Sequence, residues 1–164
     1  MRFYGMALVT GALALAACGG GDTATTDTAA TATDAGTPAA GAPAGDVAAA
    51  APTGTIHTVN MSLVDGQYIY DPANITVAPG DGIRYVMVSG GPHNVHFDST
   101  DVASAAGAQL NANIPNKMGD MMSTYLTNPG EEVVVSFTNI PAGRYPFVCD
   151  PHAAMNMRGV VTVE

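Results

Sequence analysis

From Thr55 to Glu164 apolar residues recur at every second position in short runs, and each run ends at Gly, Pro, Asn or Asp. That period sends alternate side chains to opposite faces of an extended chain, and no long stretch of helical period interrupts it. The runs predict strands near 55–62, 67–70, 74–78, 82–88, 93–97, 131–138, 143–149 and 159–163. Between them stand Asp65-Gly66, Asp71-Pro72, Pro79-Gly80-Asp81-Gly82, Ser89-Gly90-Gly91-Pro92, Asn128-Pro129-Gly130 and Pro141-Ala142-Gly143, residues suited to a positive or fixed φ. This is the pattern of an all-β sandwich.

The pattern lapses between Asp98 and Asn128, where an irregular crossover with at most a short helix is expected. Within it Met118, Met121 and Met122 stand at i, i+3 and i+4. That spacing reads as a core-facing turn of helix rather than a thioether site for a soft metal ion, because no His or Cys is near in sequence. Alternation through Arg144-Tyr145-Pro146-Phe147-Val148-Cys149 places Tyr145, Phe147 and Cys149 on one face, with the aromatics in the core beneath the cysteine. Pro146 cannot donate to a ladder, so this strand has an edge or bulge there. Alternation also groups His93, Val95 and Phe97 against Asn94, His96 and Asp98, which makes His96 a solvated surface residue. His57 has no partner spacing and is read as surface too.

Composition divides the chain before this domain. Met1-Arg2 and the apolar run from Phe3 to Ala17 are too short for a comfortable membrane span and end in small residues, as a secretory signal does. Leu15-Ala16-Ala17-Cys18 resembles the lipobox of bacterial lipoproteins, which implies lipidation of Cys18 and an N-terminus at that residue. Residues 19 to 53 hold no aromatic and no Lys or Arg, and Val47 is their one sizeable aliphatic. Such a segment cannot bury enough apolar surface to offset its ordering entropy. As a flexible coil it would span about 30–35 Å. The expected organisation is a signal peptide over 1–17, a lipidated Cys18 with a disordered tether over 18–54, and one domain over 55–164. The domain would then be exported and held by lipid on the periplasmic or cell-surface side of a membrane.

In 55–164 seven Asp and three Glu face three Arg and one Lys, a net charge of −6 that makes nucleic acid a poor partner. The same segment has a single cysteine, Cys149, so no disulfide within the domain is possible. A free thiol in an exported protein needs an explanation, and metal ligation supplies one.

Cys149-Asp150-Pro151-His152-Ala153-Ala154-Met155-Asn156-Met157 sets a thiolate, an imidazole and thioethers within one loop, and His93 begins a strand that could bring a second imidazole to the same point. This donor set predicts a His₂Cys copper centre with a weak axial Met. Zinc also accepts Cys and His, but a thioether in place of a fourth strong donor argues against a structural zinc site. Met155 and Met157 are both available. Met157 is favoured, because the strand Val161-Thr162-Val163 follows closely and fixes its direction, whereas Met155 lies mid-loop.

At these residues the chain resembles the cupredoxins, in particular plastocyanins and pseudoazurins. Pro92-His93-Asn94-Val95, Phe97-Asp98, Cys149-x-Pro151-His152, Met157-x-Gly159 and Val161-Thr162-Val163 match plastocyanins in order and spacing, over a stretch from about Tyr68 to the C-terminus. The resemblance implies an eight-stranded Greek-key β-sandwich, one type 1 blue copper ion cycling between Cu(I) and Cu(II), and electron transfer without enzymatic activity. It also implies that the Asn94 amide ties the His93 strand to the Cys149 loop and steadies the thiolate. Val148 stands where plastocyanins often have Tyr, and the acidic patches used for docking there are reduced to Asp98, Asp101 and Asp120. Docking through that face is therefore not expected. The expected electron port is the apolar rim of Pro151, Ala153 and Ala154 beside His152.

The function expected is that of a monomeric, lipid-tethered one-electron shuttle whose partners are redox proteins such as c-type cytochromes or membrane oxidoreductases. The alternative, a periplasmic copper scavenger or chaperone, would need an open and exchangeable site. A copper enzyme would need a second copper, and His57 and His96 are too few to build a trinuclear cluster.

Overall fold

The computed structural model describes residues 47–164. The signal peptide, Cys18 and most of the tether expected from the sequence lie outside these residues. Among the described residues the strands are β1 (Ile56–Val64), β2 (Gln67–Asp71), β3 (Asn74–Val77), β4 (Gly82–Met87), β5 (His96–Phe97), β6 (Glu132–Ser136), β7 (Gly143–Val148) and β8 (Arg158–Val163). One sheet has the order β2-β1-β4-β6 and the other β3-β8-β7-β5. From β2 to β7 consecutive strands alternate between the two sheets, which is the crossed connectivity of a Greek key. The all-β, eight-stranded sandwich read from the sequence is the observed fold.

The hairpin between β1 and β2 turns at Asp65 and Gly66, both at positive φ, and so sets the register Leu63↔Tyr68 and Met61↔Tyr70. β1 and β4 pair in parallel, so Ile56 and Gly82 lie at one end of the sandwich and Met61 and Met87 toward the other. Tyr145 and Phe147 face inward as the alternation predicted, and Val59 and Met61, Ile83 and Tyr85, and Val161 and Val163 are buried with them. Pro146 causes no conflict, because β5 is two residues long and pairs only with Phe147 and Val148.

Four expectations change. The strand expected over 93–97 is regular only at His96–Phe97. His93 and Asn94 are both buried, so the segment has cover on two faces, and its backbone pairs with Ser123 and Leu126 instead. The crossover holds a helix, α1 (Ser104–Asn113), three turns long, which seats Ala106, Leu110 and Ile114 in the core. The methionine run is not a helical face. Met121 has φ 48°, so the chain reverses there, leaving Met118 exposed and Met121 buried against Gly107. The domain also begins earlier than Thr55. Thr53 and Gly54 donate to Gly80 O, Ala50 N donates to Asn113 Oδ1, and Gln109 donates to Ala48 O. Residues 48–54 thus form a strap along α1 and the turn before β4, held by backbone groups that alanine supplies as well as any other residue.

Two carboxylates pin the turns. Asp81 accepts from His57 Nε2 at 2.8 Å, Thr55 N at 2.8 Å and Ala78 N at 3.0 Å. Glu131 accepts from the side chain of Asn128 and from the amides of Asn128 and Thr127. The His57 hydrogen bond, then the Ala78 amide, hold Asp81 below its ordinary value, and the Asn128 and Thr127 donors bring Glu131 down to about 2. A carboxyl that titrates lower in the folded than in the unfolded chain stabilises fully above its unfolded value and loses that contribution as pH falls toward the folded one. Urea midpoints are therefore expected to drop from about pH 5 to pH 2. In Asp81→Asn/Glu131→Gln the midpoint should be lower at pH 6 and flatter across that window. An unchanged acid slope in the double variant would refute this account.

Candidate metal centre

The loops that follow β4 and β7 meet at one end of the sandwich. Pairing of His93 with Leu126, through Nα–H to O at 3.0 Å and the reverse bond at 2.8 Å, fixes the backbone of the first. The second is closed at its base, where Cys149 N donates to Met157 O at 3.1 Å and Met157 N to His152 O at 3.2 Å. Between these points residues Asp150–Met155 form a 3-10 turn, ended by Asn156 at φ 62°. Pro151 opens that turn with the φ it needs.

Three donors converge. Cys149 Sγ lies 3.6 Å from His93 Nδ1 and 3.4 Å from His152 Nδ1, and all three atoms fall within 4.8 Å of one another. All three residues are buried, His93 and Cys149 fully and His152 at 6% exposure. His93 Nε2 faces the Ser89 carbonyl at 2.9 Å, and a carbonyl only accepts, so Nε2 carries the proton and Nδ1 presents a lone pair toward the sulfur. Tyr68 stacks on His152 with centroids 3.7 Å apart and planes 12° apart, which fixes that ring's orientation.

Burial lowers the pKa of both imidazoles, and His93 lowers that of His152 further, so both are neutral bases at neutral pH. Burial pushes the Cys149 thiol up, while the backbone amides of Asn94 and His152 act in the other direction. The metal-free pocket therefore holds a thiol poised to release its proton to a cation. Among the described residues no carboxylate joins the three: Asp150, next to Cys149 in sequence, is engaged by Asn94 and His96. Two neutral nitrogens and one sulfur without a hard oxygen donor fit copper rather than magnesium or calcium.

Residues 57–164 match the family model of copper-binding proteins of the plastocyanin/azurin family. The chain belongs to the plastocyanin/azurin family. It is 31% identical over 107 residues to the plastocyanin of Scenedesmus fuscus, covering 65% of this chain and 98% of that one. To the plastocyanin of Daucus carota it is 35% identical over 105 residues, 64% of this chain and 97% of the relative. A mutant plastocyanin of a fern, solved oxidised and reduced, aligns with a TM-score of 0.50 at 27% identity, over 65% of this chain and 99% of that one. As in this family of electron carriers, copper is the cofactor, and His93, Cys149 and His152 are placed to hold one ion.

Other residues singled out from the sequence sort as follows in this plastocyanin-like domain. Met157 is fully buried next to the cluster's loop, whereas Met155 is 50% exposed. Asn94 joins the two loops: its Oδ1 accepts from Asp150 N at 2.9 Å and its Nδ2 donates to Asp150 Oδ2 at 2.6 Å. His96 is outside the cluster as expected, but it is half-buried with Nδ1 2.9 Å from Asp150 Oδ1 rather than solvated. His57 belongs to the Asp81 turn. The methionines of the 118–122 turn do not share one face: Met118 is exposed and Met121 is buried. Tyr68 and Ser89 were not anticipated. Nothing local marks them, since each meets its histidine only through the hairpin register or the loop path.

Proposed function

We propose that this protein is a lipid-tethered one-electron shuttle working outside the cytoplasmic membrane, with type 1 copper held by His93, Cys149, His152 and, weakly, Met157. The observation that carries this reading is the buried cluster of one thiol and two imidazole nitrogens within 4.8 Å. Copper bound there supplies a one-electron couple. The chain's part is to keep the donors still: Ser89 orients His93, Tyr68 orients His152, and the hydrogen bonds at the base of the loop fix Cys149. Little movement between oxidation states favours fast transfer. Around His152 lie the exposed Pro151 and Ala154, with Leu63, Val64 and Val88 exposed at strand ends of the other sheet. Such an apolar rim suits close approach of a redox protein, for instance a c-type cytochrome or a membrane oxidoreductase. A scavenger needs donors that an incoming chaperone can reach, and these are buried. The test is Cu(II) addition. An intense visible absorption that ascorbate bleaches and reoxidation restores over repeated cycles is expected; a colourless or irreversibly reduced complex would overturn the reading.

Burial of Met157, and the hydrogen bonds of its N–H and carbonyl to His152 and Cys149, support it as the axial ligand. Met157→Gln should retain copper, lower the reduction potential and change the copper spectrum, while Met155→Gln should alter both much less. The opposite order of the two potentials would transfer the axial role to Met155.

The anchor is read from Cys18 at the end of the apolar run. The precursor should incorporate labelled palmitate and fractionate with membranes, and Cys18→Ala should do neither. Labelling that persists in the variant would remove the lipid from the proposal.

A further inference from the structure

Tyr70 is buried on β2, with its ring edge-on to Phe147 at 4.7 Å and to Tyr85 at 6.3 Å. Phenylalanine would make those contacts equally well, so the hydroxyl requires its own explanation. It donates to the carbonyl of Asn94 at 2.6 Å. Asn94 is fully buried, and its side chain is gripped at both ends by Asp150, whose other carboxylate oxygen meets His96 Nδ1 at 2.9 Å. The residue next to His93 is thus clamped from two directions, by Tyr70 on its main chain and by Asp150 on its side chain. Both the amide of this same residue and the Tyr70 hydroxyl itself act to lower the pKa of the Cys149 thiol, against the burial that raises it.

We propose that Tyr70 is a positioning residue for the metal centre, its hydroxyl holding Asn94 so that the Asn94 N–H stays on the Cys149 sulfur and favours the reduced state. The sign follows from charge. A thiolate shares more of its charge with Cu(II) than with Cu(I), so the sulfur is more negative in the reduced centre, and a fixed donor stabilises that state more. A carbonyl left without the hydroxyl would be a desolvated acceptor, free to tilt toward any other donor and to swing the peptide with it. The proposal rests on the copper reading above, but its first half concerns the protein alone.

Tyr85 provides the control, because its hydroxyl is buried with no hydrogen-bond partner among the described residues. In the full chain, Tyr70→Phe should bind copper and keep the visible band. At a fixed solution poise its reduced-to-oxidised ratio should fall about three- to tenfold, or about 30–60 mV at 59 mV per tenfold for one electron. In the metal-free protein, hydrogen exchange at the Asn94 amide should quicken by about tenfold, since the opening no longer breaks the Tyr70 bond. Tyr85→Phe should change neither quantity. If Tyr70→Phe does not fold, 3-fluorotyrosine at position 70, a stronger donor on the same ring, should slow Asn94 exchange and raise the ratio. Equal behaviour of the two Phe variants, or a Tyr70→Phe protein with unaltered ratio and exchange, would overturn the proposal. Absence of a visible band in the unsubstituted protein would refute the copper reading instead, and the exchange comparison would still decide whether Tyr70 holds Asn94.

Discussion

Cys149→Ser should leave a folded protein that no longer develops an intense visible band with Cu(II). That band needs a thiolate that donates charge to the metal, and a serine hydroxyl neither ionises near neutral pH nor shares charge in that way. The geometry leaves no substitute. Sγ stands between His93 Nδ1 at 3.6 Å and His152 Nδ1 at 3.4 Å, and among the described residues no second thiol and no carboxylate joins that group. Loss of a partner behind a metal ligand typically lowers affinity 10–100-fold, and loss of the ligand itself should exceed that. Far-UV circular dichroism on the metal-free variant separates ligand loss from unfolding. A folded Cys149→Ser protein that still turns blue would refute the assignment.

The second large effect is expected far from any donor atom. In Gly159→Ala the added methyl would overlap the carbonyl of Ala73 and the ring of Phe147. Neither can yield cheaply: Ala73 O accepts the ladder bond from Val160 N at 2.9 Å, and Phe147 is packed edge-on against Tyr70 and Tyr85. Overpacking of this kind costs about 1–3 kcal/mol, sometimes more, so denaturant midpoints should fall clearly. Because Phe147 lies two residues before Cys149, at the end of β7, the variant should also broaden the copper spectrum. A midpoint within error of the unsubstituted protein would show that β3 can move away from β8.

Gly159 illustrates what could be read from the chain and what could not. Its place after Met157 belongs to a sequence motif, yet the reason for glycine, the Ala73 carbonyl and an aromatic ring both pressed against its Cα, exists only once β3, β7 and β8 are assembled. Likewise His93, Cys149 and His152 were legible because their donor chemistry is a property of residue type and their strands are announced by alternation. Tyr68, Ser89 and Tyr70 act on those donors through the β1–β2 register and one loop carbonyl, and leave no local trace. The helix α1 was underestimated because Ser-Ala-Ala-Gly-Ala-Gln-Leu-Asn-Ala-Asn carries few large apolar residues to mark its inner face. The strap was missed for a related reason. Ala48 to Gly54 share the composition of the segment before them, and main-chain hydrogen bonds, which composition does not report, attach them to Gly80 and Asn113.

That strap has a geometric consequence. It joins the sandwich where β1 and β4 begin, whereas Ser89, His93 and the Cys149 loop lie beyond the end at which β4 finishes. Six residues of strand separate the two, about 20 Å. On the proposed N-terminal leash the domain would therefore be held by its blunt pole, with His152 at the pole away from the attachment. A partner lying flush with the surface would then require the domain to turn over on its tether, while one that rises from the surface, or floats free of it, would not.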